Sequence, residues 1–200
     1  MANYDKSYSR TAYNEGGYQA NPSDQGNYNS AGQLVGTNWG ISAKVYEDWL
    51  GRRPTAQDMM DMTKSTAKAI FRAKFWNKIK GDQLPNQYVA DILFDGVVNH
   101  GQGVRLAQEV LGITQDNVFG QETYNKLVNT PPGEFYNKYK ERRRQYYYQL
   151  AQNPSQLVFL NGWLKRLDKY NDFDKGVANG AGVVLAVVFL LLIGIKNKRI

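Results

Sequence analysis

A chain of 200 residues, 42% hydrophobic and 22% charged, can bury a core without covalent staples and has room for one domain with accessories. It has no cysteine and a single histidine, His100, which excludes disulfides, thiolate zinc sites and cysteine nucleophiles and leaves no usual pattern for a Ser-His-Asp triad. The formal charge is +7, but Lys196, Lys198 and Arg199 sit in the last five residues with no acid among them; the rest, 22 basic against 18 acidic residues, suits an anionic polymer or surface.

Residues 1–8, rich in Asn, Ser, Tyr and charge, read as a flexible segment and lack the apolar stretch of a secretory signal. A short helix is expected from about Ser9 to Glu15, where the Gly16-Gly17 pair stops it. Residues 19–35 are mostly turn formers and predict an irregular hairpin lining a cleft. Helical patterns dominate from there. Ser42 caps a helix over 43–50, and Thr63 caps one over 64–79 with Ala67, Ile70, Phe71, Phe75 and Ile79 on its apolar face. The next, over 86–99, has Val89, Ile92, Leu93 and Val97 on one side and Asp91, Asp95 and Asn99 on the other.

Further helices are expected over 104–111, 121–128, 133–152 and 155–172. Arg142-Arg143-Arg144 beside Tyr146-Tyr147-Tyr148 reads as a solvated helix face in preference to a nucleic-acid patch, and no nucleic acid partner is expected. Phe71, Phe75, Trp76 and Trp163 are assigned to the core. The fold class is therefore mainly α, with one β-like insertion, over residues 9–174.

Residues 177–195 carry no charge and, at about 1.5 Å per residue, span close to 30 Å as a helix, enough to cross a bilayer. The segment 175–200 is read as a single transmembrane helix with a short basic tail. The positive-inside tendency puts that tail in the cytoplasm and the domain on the other side.

The first forty residues carry the chemistry. Cleaving a glycosidic bond takes a proton donor for the departing oxygen and a second group that manages charge and water at the sugar carbon, and two carboxyls in unlike surroundings serve those ends. Glu15, at a helix end, is the candidate acid, and Asp24, in a polar turn, the candidate carboxylate. Thr37 offers a hydroxyl for a water, and Tyr18 and Trp39 are the candidate sugar contacts. Asn99 is a further substrate-binding candidate, while Asp95 on the same helix face is given a structural role. No cofactor and no metal are expected.

The string Glu15-Gly16-Gly17-Tyr18, Asn21-Pro22, Asp24, Gly26 and Thr37-Asn38-Trp39-Gly40-Ile41-Ser42 resembles the signature of the glycoside hydrolase family 108 muramidases of bacteria and phages. The resemblance continues through Leu84-Pro85, the stretch from Phe94 to Gly101, the stretch from Leu106 to Gly112 and Gly120-Gln121-Glu122-Thr123, and ends at Gly162-Trp163-Leu164-Lys165-Arg166. It implies a lysozyme-like α fold that cleaves between N-acetylmuramic acid and N-acetylglucosamine in peptidoglycan, with Glu15 as the catalytic glutamate. The order Glu15, Asp24, Thr37 is also similar to that of phage-type lysozymes. About residues 99–130 resemble a peptidoglycan-binding segment. Where the family has a short Pro-Gly-Gly turn, this chain has Gln25-Gly26-Asn27-Tyr28 and then residues 29–36, a lengthened loop.

The expectation is a single-pass membrane protein, in a virion membrane or a bacterial inner membrane, whose catalytic domain faces peptidoglycan. Its partners would be the glycan strands, the bilayer, and neighbouring virion or membrane proteins, in a phage-encoded role in wall opening or lysis. A lytic transglycosylase, needing one acid and no attacking water, and a non-enzymatic envelope protein that binds peptidoglycan are the alternatives.

Overall fold

The computed structural model describes residues 1–11, 16–171 and 173. Among them the secondary structure is almost wholly helical, as the patterning predicts: α1 (Tyr4–Thr11), α2 (Ala43–Leu50), α3 (Ala56–Asp61), α4 (Lys64–Phe71), α5 (Gln87–Asn99), α6 (Gly103–Leu111), α7 (Gln121–Val128), α8 (Pro132–Leu150), α9 (Pro154–Leu157) and α10 (Leu160–Asp168). Isolated antiparallel bridges, Gln19 with Thr37, Tyr28 with Leu34 and Asn38 with Ile41, shape the segment between α1 and α2. The apolar run at 177–195 lies outside the described residues. Within those residues no helix is long and apolar enough to cross a membrane.

The helix α5 is the axis. It packs on α1, α6 and α8, and residues 89–97 are all buried, so its acidic face is interior as well as its apolar one. Burying a carboxylate demands a partner, and each acid has one. Asp91 accepts from Ser7 Oγ at 2.6 Å and from Arg10 Nη1 at 2.7 Å, and Asp95 pairs with Arg143 of α8. Arg143 therefore departs from the solvated face expected for its cluster: it is fully buried, while Arg142 binds Glu109 and Arg144 binds Asp168.

Close helix crossing explains two glycines. A Cβ on Gly103 of α6 would stand 2.6 Å from the Gly96 backbone of α5, and one on Gly96 would strike the Tyr139 hydroxyl at 2.1 Å. That hydroxyl donates to the Gly103 carbonyl at 2.9 Å and ties α5, α6 and α8 at one point.

The N-terminus corrects the expectation of a flexible start. Helix α1 begins at Tyr4, and its Tyr4 and Tyr8 are buried. Tyr4 packs against Trp76 and Phe94 with ring centroids 5.6 and 6.0 Å away, and its hydroxyl donates to the Lys68 carbonyl at 2.5 Å. Two buried aromatics, each contributing up to about 1.5–3 kcal/mol, outweigh the polar composition that suggested disorder.

The helix expected over 64–79 is continuous but changes type. α-Helix to Phe71 gives way to a π-helical turn at Arg72–Trp76 and a 3-10 turn at Asn77–Ile79. The wider turn rotates the register, so Trp76 is buried in the core while Phe75 is only partly buried. Helix α3 escaped the periodicity because it is six residues long, yet Thr55 and Asp58 close a reciprocal capping box at its start. The helix expected over 155–172 is split in two, α9 and α10.

Candidate active site

Glu15 lies outside the described residues, and the described part of the site is organised around Asn27. This residue is fully buried, and its carbonyl accepts from Val35 N at 2.9 Å and Gly36 N at 3.0 Å. Its side-chain amide pairs reciprocally with that of Gln19, both contacts at 3.0 Å, and also donates to the Asn21 carbonyl at 2.9 Å. The lengthened loop is thereby folded onto the domain. Asn29 binds Gln33 and the Pro54 carbonyl, and Ser30 donates to Glu47 of α2, whose carboxyl is held below its ordinary pKa mainly by that bond.

Gln19 connects two of the predicted residues. Its backbone pairs with Thr37 across the antiparallel bridge, N to O at 2.9 and 2.8 Å, while its Nε2 donates to Asp24 Oδ2 at 3.1 Å. Asp24 Oδ1 accepts from Gly26 N at 2.8 Å and caps the short 3-10 turn Gln25–Asn27. The carboxylate is thus exposed but oriented, with a donor on each oxygen. Thr37 Oγ1 is buried and, among the described residues, has no hydrogen-bond partner.

Asp24 opens on a cleft of about 570 Å³, lined on one side by Gln19, Asn21 and Asp24 and on the other by Gln156, Phe159 and Trp163. A second depression of about 320 Å³ shares Phe159 and Trp163 and adds Asn99, Tyr147, Gly162 and Arg166. The predicted Asn99 therefore lines a depression that adjoins the Asp24 cleft at Phe159 and Trp163. Its Nδ2 donates to Asp95 Oδ1 at 3.0 Å, and its Oδ1 accepts from Arg166. Trp163, assigned to the core from sequence, is only partly buried and lines the cleft across from Asp24 instead.

The other two aromatic candidates stand elsewhere. The Tyr18 ring lies on Gly36, where a Cβ would come within 2.4 Å of its Cε2. Trp39 occupies a tight hairpin turn between Asn38 and Ile41 with φ 49°, followed by Gly40 at φ 75°. Both central residues of such a turn need positive φ, a strained state for tryptophan that its surroundings must enforce. Its indole Nε1 donates to the Met62 carbonyl at 2.9 Å, and Lys64 Nζ lies 5.9 Å from the ring centroid, so one edge and one face are already occupied.

His100 sits behind the groove. Its ring packs against Tyr146 and Tyr147 at 5.2 and 5.7 Å, neither nitrogen has a hydrogen-bond partner among the described residues, and burial, joined by the Arg143 charge, pushes its pKa down to about 3. It is neutral at ordinary pH and belongs to the packing. Sequence reasoning missed Gln19, Phe159 and Arg166. The signal for Gln19 is tertiary, but Phe159, Gly162, Trp163 and Arg166 recur at the spacing of one helix face.

Comparison with known proteins agrees with this geometry. Residues 8–101 match the family model Glycosyl hydrolase 108, and residues 102–168 match the model Predicted Peptidoglycan domain. No curated protein matches the chain. Among solved structures, that of Brucella abortus SagA is similar, with a TM-score of 0.72 and 28% identity over 84% of this chain and 90% of that one. A helical domain with an oriented carboxylate on a groove, a glycosyl hydrolase 108 match over residues 8–101 and a peptidoglycan-domain match directly after it over residues 102–168 support a glycoside hydrolase that acts on peptidoglycan.

Proposed function

We propose that the protein is a membrane-anchored N-acetylmuramidase. Glu15 protonates the departing glycosidic oxygen, and Asp24 faces the anomeric carbon, where it stabilises the developing positive charge or directs the attacking water. Thr37, paired with Gln19 beside Asp24, supplies a hydroxyl to that water. The observation that carries this reading is Asp24 itself: a solvent-facing carboxylate fixed by Gln19 and Gly26 on the rim of a groove sized for a sugar polymer. Sequence continuity supports Glu15 as its partner, since Glu15 directly precedes Gly16 and stands four residues before Gln19.

The test is digestion of purified sacculi by the wild-type chain and Glu15→Gln, with the products read by mass spectrometry. Hydrated muramic acid ends from wild type and none from Glu15→Gln are expected. Anhydro ends would make the enzyme a lytic transglycosylase, and equal digestion by both proteins would remove Glu15 from the mechanism.

The uncharged run 177–195 supports the anchor, with a bacterial inner membrane or a virion membrane as the bilayer that presents the domain to the wall. The full chain should float with liposomes in a density gradient, and a chain lacking 177–200 should not. In a phage, such an anchored enzyme would open the host wall locally or contribute to lysis.

A further inference from the structure

The wall of the groove facing Asp24 has no part in the chemistry above. Phe159, Gly162, Trp163 and Arg166 follow the i, i+3, i+4, i+7 spacing of a single helical face, and all four line the groove. The face is apolar at its open end: Phe159 is 51% exposed and follows Val158 at 77%. Trp163 stacks on the buried Tyr147 at 5.5 Å and 28° and lies 6.0 Å and 32° from Phe159, so a row of rings runs from the core out to the exposed Phe159.

Gly162 is the second, independent observation. Glycine is a poor helix former, and one inside a helix usually has a packing reason. Here a Cβ would meet nothing within 4 Å. Among the described residues no neighbour requires the glycine, and it lines the depression together with Phe159, Trp163 and Arg166.

We propose that this face of α10 is a glycan-binding subsite, with a pyranose of the peptidoglycan strand lying flat on Phe159 and Trp163 and its substituents passing over Gly162. The inference rests on the glycosidase reading of the groove and adds the surface that holds the polymer across from Asp24. The chemistry is complementary on both sides. A pyranose has apolar C–H faces, which suit exposed aromatic rings, and hydroxyl and amide edges, which suit Gln19, Asn21 and Gln156. An exposed apolar strip continuous with a groove is a usual mark of a ligand path.

Binding of a tetrasaccharide of alternating N-acetylglucosamine and N-acetylmuramic acid to the full chain in detergent, in the Glu15→Gln background, tests this by calorimetry. Phe159→Ala is expected to weaken binding about tenfold, and Phe159→Tyr to restore it. Gly162→Leu is expected to weaken binding at least tenfold while leaving the melting temperature unchanged or higher, a combination that loss of structure would not produce. With Glu15 restored, the same variant should raise KM more than it lowers kcat. Leu157→Ala, an exposed apolar neighbour outside the groove lining, should bind as the parent does.

Unchanged affinity in both Phe159→Ala and Gly162→Leu would overturn the subsite. So would loss of binding to anionic phospholipid vesicles in Phe159→Ala with sugar affinity intact, which would assign the strip to lipid. If the tetrasaccharide binds through Phe159 but the wild-type chain leaves sacculi uncut, the hydrolytic reading falls and the subsite stands.

Discussion

Arg143 and Asp95 meet inside the protein with both side chains shut off from solvent, Nη2 to Oδ2 at 2.6 Å. The pair is one stage of a relay from core to groove: Arg143 also donates to the Ile92 carbonyl at 3.1 Å and the Tyr147 hydroxyl at 2.9 Å, Asp95 accepts from Asn99, and Asn99 accepts from Arg166. A buried pair of this kind contributes little net stability against an apolar replacement, but breaking it leaves an uncompensated charge. Asp95→Asn is therefore expected to destabilise the chain by about 3–5 kcal/mol in urea unfolding. Asp95→Leu combined with Arg143→Met should recover much of that loss; if the double variant is no more stable than Asp95→Asn, the buried charge is not the cause.

His100 makes stability depend on pH. The unfolded chain takes up a proton at this residue near pH 6.5, whereas the native protein accepts one only near pH 3. Between those values the unfolded state binds more protons, so stability falls as pH falls, by about 1.4 kcal/mol per pH unit from this group. His100→Phe, which suits the tyrosine neighbours, should remove that slope when unfolding is compared at pH 7, 5 and 4. An unaltered slope would trace the acid sensitivity to other groups.

Asp24 has separable structural and chemical parts. Asp24→Asn keeps an oxygen for the Gly26 amide and should change the melting temperature little, yet lower glycan cleavage by about 10²–10⁴-fold. Asp24→Ala loses the cap as well and should cost a further 0.5–2 kcal/mol of stability, roughly the range for such caps. Near-normal turnover of sacculi by Asp24→Asn would take this carboxylate out of the reaction.

Thr37 is open to a cleaner dissection. Its buried hydroxyl has no partner among the described residues, so Thr37→Val removes an unsatisfied polar atom and should leave stability level or raised by about 1 kcal/mol. Activity should fall at least about tenfold if the hydroxyl serves the water, and Thr37→Ser should retain it. A marked loss of stability in Thr37→Val would instead reveal a structural bond to that oxygen.

The helices were legible where amphipathic periodicity and caps coincide, as at Thr63 and Asn86, because those signals act within one or two turns of chain. Asp24 and Asn99 could be picked out as chemistry-bearing positions. That their depressions meet at Phe159 and Trp163 could not, since those two rings come from more than fifty residues beyond Asn99. Trp163 shows the limit most plainly: its identity suggests core, and only the tertiary structure places it on the cleft wall.

By itself, the sequence determined the helical class, the order of the elements, the candidate carboxylates and the uncharged run near the C-terminus, since each is a local matter of residue type and spacing. Tertiary structure decided what becomes of charge and aromatic surface. It buried Arg143 with Asp95 and carried Tyr4 and Tyr8 into the core, left Phe159 and Trp163 open across from Asp24, and made Gln19 the link between Asp24 and Thr37. Burial and partnership depend on what distant segments bring alongside, and no local pattern encodes that.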